Sequence, residues 1–349
     1  MRHTLCTILF ALMLSPIAAL AQTKPAAPPA PSTASGAKIR LITDWRFDGP
    51  AAPLLQAVGK GYFKDEKLDV AITPGTGSAA AVGKVSSGDF DIGFGDFSAL
   101  IEFAANNPDK PIPQAVYVIF ERMPAAVFAL ASSGIKTPKD LSGKRLGAPP
   151  FDGGRKMWPV FANAVGLTGS ANWQNIDAAD REGALAKGKV DAITGFLFTS
   201  MLNLEAQGVS GSDMVILPFY QSGVRSYGNV VMVHPKFARE NPKAVTAFLT
   251  AYNRSLKESI RDAEGAIKYL TAQVPEAKSQ LEWRRLRLAV DSFIYTPTAQ
   301  ADGLGTLDAA RVQQSIDTVA SALNLTRKPT VEQLSNASLM PALAERRLN

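Results

Sequence analysis

Short apolar runs alternate with amphipathic helical stretches along most of the chain. In the first half, strands are predicted at 40–43, 69–73, 92–95 and 115–120, with helices between them at 51–58, 78–87 and 97–105. Each of these helices begins just after a polar or glycine residue, which is typical of a helix N-terminus. The alternation therefore predicts an α/β fold with a doubly wound, mostly parallel sheet.

A second alternation follows the first. Its strands are predicted at 127–131, 145–148, 175–177, 192–194 and 214–217, with helices at 154–164, 181–187 and 199–207. A strand at 230–234 is expected to return to the first sheet, and Asn241 before Pro242 marks a helix start. The remainder is predicted to be mostly helical, over 242–262, 264–273, 277–290, 308–322 and 331–334. We expect two α/β lobes, the second inserted in the first, with crossings near 127–133 and 226–232 and a ligand cleft between them.

The first residues have the features of a secretion signal. Arg2 precedes the apolar stretch Leu5–Leu14, and Ala19-Leu20-Ala21 fits the small-x-small cleavage pattern. We predict a signal peptide at 1–21, a disordered leader at 22–37, lobe I at 38–128 and 230–349, and lobe II at 129–229. The stretch is shorter than a membrane span needs, so a periplasmic protein is favoured over an anchored one. Cys6, inside the signal, is the only cysteine.

Composition and charge exclude several classes of function. Apolar residues make up 46% of the chain, enough for a core without disulfides or a structural metal. The formal charge of +6 is spread along the sequence, and its densest cluster, Arg284, Arg285 and Arg287, is interpreted as a solvated or partner-facing helix face. No nucleic-acid recognition motif accompanies this cluster, so we expect no nucleic-acid partner. No cofactor or metal motif is present, and none is expected.

Residues that follow the strands of the first lobe can shape a ligand pocket. The candidates are Asp44, Trp45, Phe47, Thr76, Gly77, Ser78, Asp96 and Phe97. Trp45 and Phe47 offer flat apolar surfaces that can stack on a ring. Backbone amides at the helix starts near Gly77 and Asp96 can bind anions or carbonyl groups. The alternatives are that Trp45 belongs to the core and that Ser78 and Asp96 only cap their helices.

The second lobe and the return crossing provide further candidates. They are Asp152, Arg155, Trp158, Phe196, Phe198, Arg225 and Tyr227. Gly153 and Gly154 permit close backbone approach, and Arg155 can make a bidentate contact to a carboxylate or sulfonate. Arg225 is the second candidate for an anionic group. The alternatives are that Arg155 pairs with Asp152 across the turn and that Arg225 is an ordinary surface residue.

Five segments together resemble a known family. Residues 44–70, 85–101, 135–149, 185–196 and 230–252 are similar, in order and spacing, to solute-binding proteins of nitrate-, sulfonate- and taurine-type ABC importers. Within that group they look most like the branch of thiamine-pyrimidine-precursor binders. The resemblance implies a type II periplasmic binding fold that closes around one ligand and delivers it to a membrane permease. The chain departs from that branch at Arg46, Phe47, Asp48 and Gly49, which stand where a histidine and asparagines are usual, and it lacks the cysteine-rich segment of eukaryotic relatives.

The resulting expectation is a periplasmic, monomeric receptor that binds a small organic ligand, aromatic or anionic or both. A sensory ligand-binding component on the same fold is the alternative, and a periplasmic enzyme is the less favoured one. Only His234 remains after the signal, and no serine triad, metal motif or G-x-S-x-G elbow occurs. The sequence therefore predicts that the chain is not an enzyme.

Overall fold

The computed structural model describes residues 36–348, in which two five-stranded sheets form two α/β lobes. The strands are β1 Ala37–Ile42, β2 Leu68–Thr73, β3 Ile92–Asp96, β4 Gln114–Val118, β5 Ala125–Leu130, β6 Arg145–Ala148, β7 Asn172–Asn175, β8 Ala192–Phe196, β9 Met214–Pro218 and β10 Asn229–Val233. The sheet of lobe I has the order β2-β1-β3-β10-β4, and that of lobe II has the order β7-β6-β8-β5-β9.

Each sheet contains one antiparallel strand, placed at the same position in the order. In lobe I this strand is β10, which is antiparallel to β3 and β4. In lobe II it is β5, which is antiparallel to β8 and β9. The other strands of each sheet run in one direction, so the prediction of mostly parallel α/β sheets is confirmed.

Helices cover the sheets and make up most of the C-terminal third. They are α1 Ala52–Gly59, α2 Tyr62–Asp65, α3 Ser78–Ser86, α4 Phe97–Asn106, α5 Gly153–Lys156, α6 Trp158–Ala164, α7 Arg181–Ala186, α8 Leu197–Ala206, α9 Pro235–Glu240, α10 Pro242–Arg261, α11 Ala263–Gln273, α12 Ser279–Ala289, α13 Pro297–Asp302, α14 Ala309–Ala322, α15 Val331–Leu334 and α16 Leu343–Arg346. Within residues 36–348, no helix has the length and apolar character needed to cross a membrane.

The structure differs from the sequence expectations in several places. The predicted signal peptide and most of the leader lie outside the described residues, and β1 already begins at Ala37, inside the predicted leader. The helix predicted at 154–164 is divided at Met157, because Pro159 has no N–H to continue the hydrogen-bond ladder. The first crossing expected at 127–133 coincides with β5, so the predicted boundary between 128 and 129 falls inside a strand of lobe II.

Each sheet has an arginine–aspartate contact at the same position, and we call this contact the clamp. In lobe I, Arg40 Nη2 lies 2.7 Å from Asp91 Oδ1, and the Arg40 backbone N–H donates to the same carboxylate at 2.8 Å. In lobe II, Arg145 and Asp191 make the same two contacts, each at 2.8 Å. The clamp therefore gives a residue-by-residue correspondence between β1 and β6 and between β3 and β8.

The chain crosses between the lobes twice, and the two crossings lie side by side. The first occupies 119–124 and the second 219–228. Met123 N–H donates to the Ser226 carbonyl at 3.1 Å, and Gly228 N–H donates to the Phe120 carbonyl at 3.0 Å. A Cβ at Gly228 would lie 2.9 Å from Phe120 Cβ, so the close approach of the crossings requires glycine there. The crossings thus form a short two-stranded hinge.

Two C-terminal helices contact both lobes. The α12 residue Arg284 donates to Glu205 of α8 in lobe II at 2.9 Å, while Glu282 of the same helix accepts from Gly49 N–H in lobe I at 2.7 Å. On α14, Val312, Ile316 and Val319 belong to a hydrophobic cluster that includes residues of both α4 and α6. Both helices therefore join the lobes outside the crossings.

Candidate functional site

The ends of corresponding strands in the two lobes meet at the hinge. Phe97, which starts α4 after β3, donates its backbone N–H to the Gly228 carbonyl at 3.0 Å. Leu197, which starts α8 after β8, donates in the same way to the Pro124 carbonyl at 2.8 Å. Because each helix start is fixed to a crossing, the carboxyl ends of β3 and β8 face a shared space. Ligands of open α/β sheets bind at such strand ends.

The lobe I side of this space is a hydrogen-bonded set of polar residues, which we call the polar wall: Asp44, Ser78, Asp96 and Asn229. Asp44 Oδ2 accepts from Asn229 Nδ2 at 2.8 Å and from Ser78 Oγ at 3.2 Å. Ser78 Oγ in turn accepts the backbone N–H of Asp96 at 3.0 Å. The wall therefore joins residues that follow β1 and β3, the start of α3 and the first residue of β10.

Two buried acceptors of the polar wall have no hydrogen-bond donor among the described residues. They are Asp96 Oδ2 and Asn229 Oδ1, on residues that are 5% and 6% exposed. Asp96 and Asn229 are also register partners on the adjacent strands β3 and β10. A buried polar atom without a partner is costly, so this pair of acceptors favours a ligand that donates hydrogen bonds.

Burial raises the pKa of three carboxyl groups near this wall. Burial raises the pKa of Asp96 to about 6, although the hydrogen bonds from Ser98 oppose the change. Burial also raises the pKa of Asp44, against the hydrogen bonds from Asn229 and Ser78. Asp48 reaches a pKa of about 7, because burial outweighs the nearby Arg285 guanidinium and Glu282 adds repulsion. Asp48 and Asp96 can therefore exchange protons near neutral pH.

The lobe II side of the space is apolar, and we call it the apolar wall: Phe151, Gly153 and Phe196. A Cβ at Gly153 would lie 3.3 Å from Met123 Cε and 3.8 Å from Phe196 Cε1, which shows how closely these groups approach. Phe151, in the turn after β6, is 58% exposed, an unusual state for a large aromatic side chain. The wall offers flat apolar surface on which a ring can pack.

Asp152 stands beside the apolar wall, but its carboxylate is already in use. It caps α5 by accepting from Arg155 N–H at 2.9 Å, and it accepts from Thr194 Oγ1 at 2.6 Å. Arg181 Nη1 donates to its second oxygen at 3.2 Å. Asp152 therefore holds the turn of lobe II in place.

An ion pair and a hydrogen bond near the space connect the two lobes. Lys156 of α5 pairs with Glu102 of α4 at 2.6 Å. On the C-terminal side, the buried Arg285 donates to the Phe198 carbonyl at the start of α8 at 3.1 Å and to Glu282 at 3.0 Å. These contacts hold the lobes together in the arrangement described here.

Four aromatic residues that were predicted to contact a ligand lie in hydrophobic clusters and not on the polar or apolar wall. They are Phe97, Trp158, Phe198 and Tyr227. Phe97 and Tyr227 pack edge to face, and Trp158 packs between Phe161 and Trp173. Phe198 contacts Phe120 and Phe293 in another cluster. Each of the four is at most 8% exposed. The side chain of an aromatic residue near a strand end can point to a cleft or lie under the helix that follows. These four side chains lie in the core, which differs from the prediction.

The two predicted anion-binding arginines lie outside both walls. Arg155 Nη1 donates to the Ala148 carbonyl at 2.9 Å and to Asn175 Oδ1 at 2.7 Å, and its guanidinium lies over the Trp173 ring. Only its backbone N–H contacts Asp152, so the predicted side-chain pairing with Asp152 is absent as well. Arg225 is exposed in the second crossing.

The remaining lobe I candidates lie around the polar wall. The Trp45 side chain is half-buried and packs against none of the hydrophobic clusters of the described residues, whereas Phe47 packs against the lobe I core. Gly77, with φ of +141°, donates its N–H to the Asp44 carbonyl at 2.7 Å, and Thr76 beside it is exposed. Trp45 is thus the aromatic residue of lobe I that is available to a ligand.

Sequence reasoning left three residues of the walls out of the candidate set: Asn229, Phe151 and Gly153. The signal for Asn229 was a single polar residue directly before the apolar run 230–233. Such a residue at the start of a central strand needs a polar partner, which here is Asp44. Phe151 carried no comparable signal in the sequence, and Gly153 was noted only for the close backbone approach that it permits.

Comparison with known proteins identifies the family and the fold of the chain. A family model described as NMT1/THI5 like matches residues 50–266. Riboflavin-binding protein RibY of Chloroflexus aurantiacus is 22% identical over 289 residues, 78% of each chain. The periplasmic aliphatic sulphonate binding protein SsuA of Escherichia coli superposes with a TM-score of 0.69 at 14% identity, covering 86% of this chain and 92% of that one. The predicted periplasmic binding fold and the family resemblance are confirmed.

The same comparison corrects the prediction that the chain is not an enzyme. The 4-amino-5-hydroxymethyl-2-methylpyrimidine phosphate synthase of Legionella pneumophila is 22% identical over 248 residues, 70% of this chain and 76% of the relative. Others that are 23–26% identical carry the same enzyme name. The prediction is therefore wrong. It relied on the absence of histidine, cysteine and serine motifs, and it interpreted the carboxylates Asp44, Asp48, Asp96 and Asp152 as helix caps or hydrogen-bond acceptors. Carboxyl groups with raised pKa values can also transfer protons.

Proposed function

The chain belongs to the NMT1/THI5-like family, and from this premise we propose that it is the solute-binding receptor of an ABC importer. Its lobes close on a small organic ligand at the polar and apolar walls and present it to a membrane permease. The predicted signal peptide supports action in the periplasm. Closure requires only that the ligand bind the closed arrangement better than the open one.

The polar wall defines the ligand class that we propose. The observation that carries it is the pair of buried acceptors without donors, Asp96 Oδ2 and Asn229 Oδ1. A ligand with amino, imide or ammonium hydrogen atoms satisfies them, while its flat face packs against Phe196 and Trp45. This replaces the expectation of an anionic ligand, since neither Arg155 nor Arg225 belongs to the walls.

A ligand screen on refolded protein tests the proposal, since refolding removes any molecule carried through purification. We would record thermal unfolding with 4-amino-5-hydroxymethyl-2-methylpyrimidine, riboflavin, taurine and nitrate. A ligand at 100 times its dissociation constant adds about 2.7 kcal/mol to the free energy of unfolding. We expect a shift with at least one ring that bears N–H donors, and none with nitrate, which has no hydrogen-bond donor.

Asp96→Asn is the informative variant in this screen, and Asp109→Asn is its control. Asp109 is exposed and remote in sequence from the walls. We expect the first variant to lose at least about tenfold in affinity and the second to bind normally. Binding of nitrate, but of neither ring, would refute the donor-bearing class and leave the receptor role standing.

Catalysis in the same space is a second candidate function. The observation that favours it is the pair of carboxyl groups, Asp48 and Asp96, whose pKa values of about 7 and about 6 suit proton transfer near neutral pH. The test is chromatographic detection of pyrimidine phosphate in cell extract, which supplies the small-molecule substrates, with and without the added protein. An increase that is lost in Asp48→Asn and kept in Asp109→Asn would support catalysis, and no increase over the extract alone would exclude it.

A further inference from the structure

A second pocket lies at the hinge and shares no lining residue with the polar or apolar wall. Its volume is about 320 Å³. It is lined by parts of both crossings, by the start of α13 and by the first turns of α14. Its charged lining residues are Glu121 and Arg122 of the first crossing, Arg225 of the second crossing and Arg311 of α14.

The lining of this pocket has three arginines and one glutamate, so positive charge is in excess. Arg311 is paired with Glu121, through its carboxylate Oε2 and its backbone carbonyl, whereas Glu121 Oε1 is buried with no donor among the described residues. Arg122 uses Nε to donate to the Ser292 carbonyl at 2.8 Å and stacks over the Tyr220 ring at 4.2 Å. Within residues 36–348, the terminal nitrogens of Arg122 have no hydrogen-bond acceptor, and Arg225 has neither an ion pair nor a hydrogen bond.

The polar lining suits an anion better than an apolar ligand. Ser226, Thr296, Thr298 and Gln314 place hydroxyl and amide groups beside the two arginines. Arginine binds carboxylate and phosphate groups with two parallel hydrogen bonds, and side-chain hydroxyl groups can complete their coordination. The stacking of Arg122 on Tyr220 also holds that guanidinium in a fixed orientation.

We propose that this hinge pocket binds a small oxyanion of the phosphate or carboxylate class, and that the bound anion sets the angle between the lobes. The anion would contact both crossings and α14, and α14 packs against helices of both lobes. A ligand that joins these segments favours one lobe angle over others, and therefore changes affinity at the walls. Only this last consequence depends on the proposed receptor function; anion binding does not.

Calorimetric titration with inorganic phosphate tests the site itself. The titration is run at constant ionic strength, on the full chain without any organic ligand. We expect binding by the parent protein, a loss of at least about tenfold in Arg225→Gln, and no change in Arg327→Gln, an exposed arginine outside the pocket. Equal binding by Arg225→Gln and the parent would show an adventitious ion only and overturn the proposal.

Spin labels on the two lobes test the effect on lobe angle. Lys64 in lobe I and Lys139 in lobe II are both exposed, and in a Cys6→Ser background their cysteine variants are the only labelling sites. We expect phosphate to change the distance distribution between the labels, and to leave it unchanged when Arg225→Gln is added. Phosphate that binds without changing the distances would refute the coupling, whatever the outcome of the organic ligand screen.

Discussion

Lobe I and lobe II have the same strand order and the same clamp, yet their strand ends present different chemistry. Four residues after the clamp arginine, lobe I carries Asp44 where lobe II carries Pro149. Five residues after the clamp aspartate, lobe I carries Asp96 where lobe II carries Phe196. The clamp residues, which hold the sheets, are therefore different from the strand-end residues, which form the binding surface. The strand-end residues can change while the strand order and the clamp stay the same.

The helices that follow these strand ends differ in the same way. Asp96 caps α4 by accepting from Ser98 N–H at 2.9 Å, whereas Phe196 before α8 provides no side-chain cap. Asp96 is thus the last residue of β3 and also caps α4 in lobe I. In lobe II, Arg285 binds carbonyl groups at the start of α8, so a contact from the C-terminal region positions that helix.

The largest effect is expected from removing charge at the polar wall. Asp96→Asn should lower affinity for a donor-bearing ring by roughly 10- to 100-fold, since a hydrogen bond to a charged group contributes about 1.5–3 kcal/mol. The matched change in lobe II, Phe196→Leu, keeps an apolar surface and should cost less than about 1.5 kcal/mol. Calorimetric titration of both variants measures the difference, and equal losses would mean that the two walls do not divide recognition in this way.

The pH dependence of stability should be the next largest effect. Asp48, with a pKa of about 7, and Asp96, with a pKa of about 6, bind protons more tightly in the folded than in the unfolded chain. Their contribution to the free energy of unfolding is therefore greatest at acidic pH and is lost as the pH rises from about 4 to about 7.

Urea denaturation at pH 5 and pH 8 measures this effect. Asp48→Asn should reduce the stability difference between the two pH values by about 1–2 kcal/mol, because its amide does not titrate. The control is Asp109→Asn, which should leave the difference as it is in the parent protein. A difference unchanged in Asp48→Asn would show that this carboxyl group titrates normally.

The smallest effect is expected at the clamps, where the lobes are alike. Asp91→Asn and Asp191→Asn remove the same contact from a partly exposed arginine, so each should lower the melting temperature slightly and by a similar amount. Differential scanning calorimetry of the two variants makes the comparison. A large loss in only one of them would show that the clamps are not equivalent.

Sequence patterns were sufficient to predict the strands and most helices of both lobes. The period of apolar residues and local breakers such as Gly59 and Pro242 act over a few residues, so they can be read directly from the sequence. The first crossing was predicted at 127–133 but lies at 119–124. The apolar run 125–130 is compatible with a hinge segment and with a central strand, so its pattern did not distinguish the two.

The candidate site was harder to predict, because its contacts join distant parts of the chain. Asp44 and Asn229 are bonded across 185 positions, and Glu121 and Arg311 across 190. A carboxylate after a strand could be expected near the cleft, but its partners could not be identified. The buried state of Phe97 and Phe198 likewise depends on which helix covers each ring, which no local pattern specifies.

The pairing of the crossings has a consequence for how such receptors can diversify. Because Met123 and Ser226 are hydrogen-bonded neighbours, the stretch from β5 to β9 enters and leaves lobe II at one point, as an inserted domain does. Exchange of that stretch with the equivalent part of a relative needs two chain junctions a few ångströms apart, together with matching contacts to α12 and α14. A new ligand preference could then arise by recombination of half-sites rather than by stepwise substitution.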